Sequence, residues 1–461
     1  MSTRIITAEQ IAEQKVFSQR IRAIIGDENK IACIQTYGCQ QNEADSERLA
    51  GMCEEMGYSF TDDPSKADLI LVNTCAVREH AELKALSITG QFKHLKERKP
   101  SLIIAMCGCM VTQEHRLNDV KQKYPYVDFL FGTGMLWKFP EIMYEALTTK
   151  RRHFYENEDD GNIAEGLPVR RESNFKGWVS IMYGCNNFCT YCVVPYVRGR
   201  ERSRQREDVL KEVRELVENG CREITLLGQN VNSYSGGCDF ADLLADICEI
   251  DGDFIVRFMT SHPKDVSHKL IDTMAKYPKI ARQFHLPLQS GSNRVLSAMN
   301  RRYTAESYIE NVRYMREKMP DIALSTDIIV GFPTETDEEF EETLNVLREV
   351  RYDSIFSFIY SIRKGTKAAE MDGQISDEVK KERFARLLDT QNQISYEKNQ
   401  SYVGKVIDVL VEGRSKTDDS KLTGRGERGR LVHFVGDDSL IGCHVNVKIV
   451  KAETYALYGE L

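Results

Sequence analysis

The chain has 461 residues, 41% apolar and 29% charged, with only 11 prolines, which is the balance of a folded protein too long for one ordinary core. It holds no run of the roughly 20 apolar residues that a membrane span needs, and its start reads as a polar amphipathic helix with no signal-peptide core, so a cytoplasmic protein is expected. A net charge of −8 excludes a uniformly basic nucleic-acid binder, although local basic patches lie at Arg198, Arg200, Arg202 and Arg204 and again between Arg414 and Arg430.

A helical leader is expected over 1–28. Apolar residues over 31–36 then predict a short buried strand, and those over 43–56 recur at helical spacing. The alternation repeats, with strands at 69–72, at 102–106 and near Phe129, and helices over about 78–96, 113–123 and 139–147. It implies an α/β fold, with a doubly wound parallel sheet as a first domain over 29–150. The charged stretch 151–173 has no periodicity and is expected to be a linker. A second series follows, with strands at 178–183, 223–227, 255–259, 283–286, 324–330 and 354–359. Helices such as 207–219, closed by Gly220, and 338–349 lie between them. Six units imply a partial (β/α)6 barrel over 174–400. β-rich runs at 405–412, 429–434 and 444–451 predict a small all-β barrel over 401–461.

In a reducing compartment the 13 cysteines point to metal ligation, catalysis or burial, not to disulfides. The run Tyr183-Gly184-Cys185-Asn186-Asn187-Phe188-Cys189-Thr190-Tyr191-Cys192 follows the first barrel strand, at the carboxyl end where barrel enzymes place their sites. Three thiolates on one short loop suit a four-iron cluster with one iron left open, whereas structural zinc sites use four ligands in two pairs. Cys39, Cys75 and Cys109 each follow one of the first three strands, so they can converge in the crevice beyond a parallel sheet's carboxyl ends, where a second three-thiolate cluster is the economical reading. Cys107 competes with Cys109, which is preferred because Gly108 permits the turn that would aim its thiolate at the crevice. Cys33, Cys53, Cys221, Cys238, Cys248 and Cys443 are expected in cores. Asn230, Ser261, His262, Gln289 and Asp327 stand at or just past predicted strand ends, where a cofactor or a base would meet them. The arginines at 198, 200, 202 and 204 alternate at strand spacing, so one face is expected to meet phosphate or a cofactor carboxylate.

The CxxxCxxC run, with Tyr191 just before its third cysteine and a barrel behind it, resembles the radical S-adenosylmethionine superfamily. Further matching stretches are Gly38-Cys39-Gln40-Gln41-Asn42, 183–204, 228–234, 285–292 and 326–334 around Gly331-Phe332-Pro333. With these, nearly the whole chain is similar to the methylthiotransferase family, Gln41 standing where the family usually has Met. The tail resembles a TRAM domain, a small RNA-binding barrel, with Arg414, Lys416, Lys421, Arg425, Arg428 and Arg430 as its candidate phosphate contacts.

The resemblance implies two four-iron clusters and two molecules of S-adenosylmethionine per turnover. Cys185, Cys189 and Cys192 would generate a 5′-deoxyadenosyl radical, with Tyr191 beside the cofactor, and Cys39, Cys75 and Cys109 would hold the cluster that delivers sulfur. Carbon 2 of adenine shows why a radical is needed: its hydrogen is neither acidic nor part of a leaving group, so acid–base chemistry has little to act on. Within the family, 183–204 and 229–234 look most like enzymes that thiolate N6-(dimethylallyl)adenosine on the 3′ side of the tRNA anticodon. The nearest rivals act on threonylcarbamoyl-adenosine in tRNA or on a ribosomal-protein aspartate. Other classes leave a non-catalytic iron–sulfur carrier or RNA binder, or a zinc-bound structural protein. The implied partners are a tRNA anticodon stem-loop, an electron donor such as flavodoxin or ferredoxin, and a sulfur or cluster-repair carrier. No membrane is implied, and a monomer is expected.

Overall fold

Every residue of the strand Leu69–Thr74 is buried, as a parallel strand covered by helices on both faces demands. It sits inside the first sheet of a computed structural model that describes residues 4–77, 79–149, 151–155 and 162–461. Among the described residues the sheet runs Ser59–Phe60, Ile31–Tyr37, Leu69–Thr74, Ile103–Gly108, Phe129–Phe131 and His153–Tyr155, all parallel. The chain starts at Ile31–Tyr37, adds a strand on one side, then crosses to the other with Leu69–Thr74. That reversal is a topological switch point, the place where open α/β sheets leave a crevice beyond their carboxyl ends.

Several predicted boundaries move. The leader is the helix Ala8–Ile25, started by a Thr7–Gln10 capping box. It buries Ile21 and Ile25 in the same core as Met52 and Phe139, so it is a layer of the first domain. The predicted helix 113–123 is two pieces, Cys109–Thr112 and Glu114–Lys123. The helix expected from Arg78 is described over Glu79–Arg98, Arg78 itself lying outside the described residues. The stretch expected as a linker supplies a strand to the sheet, His153–Tyr155 paired with Phe129–Phe131. Residues 156–161 of that linker, residue 150 and residues 1–3 of the leader also lie outside the described residues. Hydrophobic patterning missed His153–Tyr155 because a three-residue edge strand is too short to show a period.

The second domain is an open arc of parallel strands in chain order: Lys176–Ser180, Glu223–Leu227 and Ile255–Phe258, then Gln283–His285, Ala323–Val330 and Ser354–Ile359. A Val256–Ile280 bridge joins the halves. Its helices follow ordinary signals. Arg206–Glu218 is capped at Asn219 with Gly220 next at φ +86°, and Asp337–Val350 opens on a Thr336–Glu339 capping box. The helix Asp377–Gln400 leads from the arc to the tail.

The tail closes into a barrel of Val406–Arg414, Leu422–Gly426, Leu431–Phe434, Leu457–Glu460 and His444–Ala452. Its hairpin at 426–430 plugs the amino-terminal mouth of the arc. Arg257 donates to the carbonyls of Gly426 and Glu427 at 3.0 and 2.8 Å, Arg428 pairs with Asp321, and Arg430 pairs with Asp353 at 2.8 Å. Asp353 also accepts from Lys398 at 2.6 Å and from the Leu324 amide at 2.9 Å. One carboxylate thus ties the arc, the long helix and the tail together.

Removing that carboxylate takes the ionic partner from two half-buried cations, Lys398 and Arg430, a loss of about 2 kcal/mol, less than for a fully buried pair. Asp353→Ala should therefore unfold at lower urea and be cleaved by protease near residue 400 before the first domain is attacked. A variant that matches the parent in both measurements would show that the plug is held by packing alone.

Candidate active site

Cys39 caps the helix Gln40–Glu55 at the carboxyl end of Ile31–Tyr37, Cys75 follows Leu69–Thr74, and Cys109 opens the helix Cys109–Thr112 after Ile103–Gly108. The three thiols are neighbours: Cys75 beside it draws the Cys39 thiol down to about 6, while Cys75 itself is pushed up. Cys109 feels both of the others, and burial raises it. A helix N-terminus beside a thiolate favours the charged form. Backbone geometry enforces the approach. A Cβ on Gly38 would lie 2.8 Å from Cys75 Cβ, and one on Gly108, at φ +95°, would lie 2.5 Å from the Thr74 carbonyl oxygen. Asn42 and Asn73 are buried and exchange hydrogen bonds, Asn42 Nδ2 to Asn73 Oδ1 and Asn73 Nδ2 to the Asn42 carbonyl, both 2.9 Å. They lock the start of the helix Gln40–Glu55 to the end of the strand Leu69–Thr74 at the switch point. Cys107 points instead into the core with Cys53 and Phe131. Cys33 and Cys53 are buried as expected, and so are Cys221 and Cys248, whereas Cys238 and Cys443 are only half-buried.

Cys185, Cys189 and Cys192 lie on a loop bent by Gly184 at φ +69° and Phe188 at φ +47°. Asn300 Nδ2 holds it by donating to the carbonyls of Asn187 and Phe188, each at 3.0 Å. Burial pushes the Cys185 thiol up to about 11, and burial and Cys189 push Cys192 up to about 12. Three thiolates on this loop therefore need a cation among them. Among the described residues no group of three His, Cys, Asp or Glu side chains is arranged to hold a single metal ion, and trios of thiols, one on a single loop and one gathered from three strand ends, suit a wider multinuclear group better. Arg301 donates to Cys189 Sγ at 3.5 Å and to the Pro287 carbonyl at 2.8 Å.

Beyond this loop, at the carboxyl ends of the arc, four polar atoms are buried and have no partner among the described residues: Asn230 Oδ1, Ser261 Oγ, His262 Nε2 and Gln289 Oε1. Each costs about 1–3 kcal/mol if left so, and each belongs to a residue singled out from the sequence. Two backbone strains accompany them, Thr260 at φ +70° and Gln289 at φ +72°. His262 Nδ1 accepts the Lys264 amide at 3.2 Å. Burial, then Arg301 and Lys264, bring its pKa down to about 2, so the ring is neutral and offers an Nε2–H. Tyr191 packs edge-on against Phe332, ring centres 6.5 Å apart. Phe332 is held by a turn in which Glu335 accepts from the Gly331 amide at 2.8 Å and from Arg383 at 3.0 Å. Asp327 stands 3.5 Å from His285 Nε2. A cavity of about 330 Å³ runs down the arc past Trp178, His285 and Phe356 to the plug. Acceptors, a neutral donor and aromatic faces are the chemistry that holds a nucleoside.

The two trios share one seam. Val193 and Val197, just after the second trio, pack against Ala76 and Cys109 of the first. Gln41, the departure from the family pattern, reaches across to Ser180 Oγ at 2.9 Å. Arg363 Nη2 donates to the Val77 carbonyl at 2.9 Å. The alternating arginines are corrected here. Arg198, Arg202 and Arg204 are 5, 9 and 5% exposed and are occupied inside the protein. Arg198 meets Cys109 and Asp45, Arg202 meets the Asn162 carbonyl, and Arg204 meets Glu165 and Glu212. Only Arg200 is exposed, stacked over Phe188 at 4.2 Å. The tail's basic run divides between exposed side chains, Arg414 and Arg425 among them, and side chains held inside the protein. Arg414, Lys421 and Arg425 pair with Asp438, Asp418 and Glu412, and Arg428 and Arg430 hold the plug. Lys416 is exposed. Sequence reasoning missed His285, Arg301, Trp178 and Phe356. Alternation along the arc's strands was the signal that would have placed His285, Trp178 and Phe356 in the lumen.

Residues 31–132 match the Uncharacterized protein family UPF0004, residues 179–347 the Radical SAM superfamily, and residues 400–461 the TRAM domain. A protein of Alkaliphilus oremlandii (strain OhILAs) called tRNA-2-methylthio-N(6)-dimethylallyladenosine synthase is 52% identical over 461 residues, 99% of this chain and 98% of that one. One of the same description from Thermoanaerobacter sp. (strain X514) is 50% identical, with 99% and 98% covered. Among solved structures, a radical S-adenosylmethionine methyltransferase from Kitasatospora setae, with cobalamin and a [4Fe-4S] cluster bound, superposes with a TM-score of 0.56 at 14% identity. It covers 74% of this chain and 77% of its own, a likeness of fold.

A neutral buried histidine has a pH signature. The folded state holds fewer protons than the unfolded one below His262's ordinary 6.5, so stability falls as pH drops from about 6.5 towards 2. His262→Gln should remove a slope approaching about 1.4 kcal/mol per pH unit in that window. Urea midpoints of the metal-free chain at stepped pH would show it, and parallel curves for parent and variant would contradict a neutral His262.

Proposed function

The chain belongs to the family of tRNA-2-methylthio-N(6)-dimethylallyladenosine synthases, and from that premise we propose how its own residues divide the work. It is a radical S-adenosylmethionine methylthiotransferase of tRNA, converting N6-(dimethylallyl)adenosine to the 2-methylthio derivative. An iron–sulfur cluster and S-adenosylmethionine are its cofactors. No helix among the described residues is long and apolar enough to cross a membrane.

Our finer reading assigns Cys185, Cys189 and Cys192 to one four-iron cluster and Cys39, Cys75 and Cys109 to another, with Cys107 left to the core. When bound, the first supplies the electron that cleaves S-adenosylmethionine to a 5′-deoxyadenosyl radical, and the second supplies sulfur. Asn230, Ser261, His262 and Gln289 bind and orient the S-adenosylmethionine and the adenine, which is what their buried, unpartnered atoms among the described residues support most directly. Neutral His262 donates through Nε2 without placing a second positive charge beside the sulfonium. Tyr191 walls the cofactor, and Asp327 with His285 faces the lumen where the base enters. Val193, Val197 and Ala76 exclude water from the seam between the trios.

The division into a first domain that includes the leading helix, an arc and a TRAM barrel belongs to the same reading. So do the base on the 3′ side of the anticodon, an external flavodoxin- or ferredoxin-like donor, a sulfur carrier, a monomeric state and a cytoplasmic site of action. The observation that supports it is the seam, where Val193 and Val197, just after the second trio, pack on Ala76 and on Cys109 of the first.

Incubation of reconstituted protein with dimethylallyladenosine-containing tRNA, followed by nucleoside mass analysis, tests it. Ala at Cys185, Cys189 or Cys192 should abolish 5′-deoxyadenosine and product alike. Ala at Cys39, Cys75 or Cys109 should spare 5′-deoxyadenosine and abolish the methylthio nucleoside. A Cys75→Ala protein that still thiolates ends the assignment.

A further inference from the structure

We propose that Arg198 is a positioning residue that sets the reduction potential of the group bound by Cys39, Cys75 and Cys109. The inference rests on the reading that this trio holds a second cluster. Arg198 Nε donates to Cys109 Sγ at 3.1 Å, and its Nη2 donates to Asp45 Oδ2 at 2.9 Å. The side chain is 5% exposed, so water screens neither contact. Its origin is unusual: it lies on the arc, six positions after Cys192, yet its head is spent on a cysteine of the other domain.

A hydrogen bond and a nearby positive charge at a ligating sulfur stabilise the more negative, reduced state of an iron–sulfur group and so raise its potential. Asp45 acts in the opposite sense on the same guanidinium, drawing it away from sulfur and placing a negative charge nearby. The two side chains form a balance across the seam. A planar fork meets a sulfur and a carboxylate at once, whereas lysine offers a point charge without that geometry. Arg202 and Arg204 stand on the same stretch but spend donors on the Asn162 and Ser180 carbonyls and on carboxylates. Arg301 supplies a weaker version to the other trio, 3.5 Å from Cys189. Because Arg198 follows the helix Val194–Val197, which packs on Cys109 through Val197, a displacement of the Cys192 loop alters the hydrogen bond at Cys109.

The test uses the full chain with Cys185, Cys189 and Cys192 all replaced by Ala, reconstituted anaerobically, so that any iron belongs to the other trio. Iron per chain is measured and the midpoint potential is followed by electron paramagnetic resonance. Adding Arg198→Gln should shift the midpoint to lower potential at unchanged iron content, and Arg198→Lys should recover part of the shift. Asp45→Asn, which leaves Arg198 in place, should shift it to higher potential. Equal potentials in the parent and in Asp45→Asn overturn the proposal even if Arg198→Gln loses iron or fails to fold, and shifts of the same sign in the two variants overturn it too. A parent without iron ends the two-cluster reading itself, and the inference with it.

Discussion

The centre of this protein depends on one seam, where the segment that follows Cys192 is held against Ala76 and Cys109 of the first sheet. The seam is built from charges. Arg198 with Asp45, Arg171 with Glu47 and Glu212, and Arg204 with Glu165 and Glu212 are largely removed from solvent. Buried pairs of this kind often cost as much in desolvation as they return in attraction, so stability is a poor reason for them. What they provide is position. A carboxylate shared by two guanidiniums has few alternative arrangements, and a slip of the first domain over the arc would strand ions in an apolar setting. Hydrophobic contacts such as Val197 against Cys109 tolerate a slide, whereas bidentate pairs do not.

The carboxyl end of the arc is built on the opposite principle. There the chain leaves buried atoms of Asn230, Ser261, His262 and Gln289 without partners among the described residues and holds Thr260 and Gln289 at positive φ. A β-branched residue at positive φ costs on the order of 1–3 kcal/mol. A large apolar core from Val179 to Leu387 offsets such local costs. Polar groups fixed before the ligand arrives need no reorganisation when it binds, which is how preorganised sites gain affinity and orientation. The seam's charges are paired, whereas the mouth leaves polar atoms unsatisfied among the described residues.

Much of this was legible in the sequence, for a definable reason. A parallel strand followed by a helix fixes where the connecting residues lie, so Cys39, Cys75, Cys109 and the polar residues after the barrel strands were placed at carboxyl ends by periodicity alone. The same logic preferred Cys109 over Cys107, and Gly108 at φ +95° against the Thr74 carbonyl gives that preference its physical cause. What failed were inferences about charge. Arginines at alternate positions read as a face for phosphate or a cofactor carboxylate, yet three of the four are buried against protein partners, because a long side chain reaching a distant segment leaves no trace in its own. Arg428 and Arg430 are likewise held inside the protein. Their partners Asp321 and Asp353 are carboxylates more than 70 residues distant. His153–Tyr155 was lost to its brevity, and its pairing with Phe129–Phe131 is likewise a long-range fact.

The tail's role changes in consequence. Its hairpin closes the floor of the cavity that runs past Trp178, His285 and Phe356, so the module that resembles an RNA binder is also a wall of the reaction chamber. Arg428 and Arg430, committed to Asp321 and Asp353, are not available to an outside anion without opening that floor. Arg414, Arg425, Lys405, Lys416 and Lys448 of the tail remain exposed. Asp353 bonds both the plug and the long helix Asp377–Gln400 and directly precedes the strand Ser354–Ile359, whose Phe356 lines the cavity, so the tail, the helix and the cavity wall meet at one carboxylate.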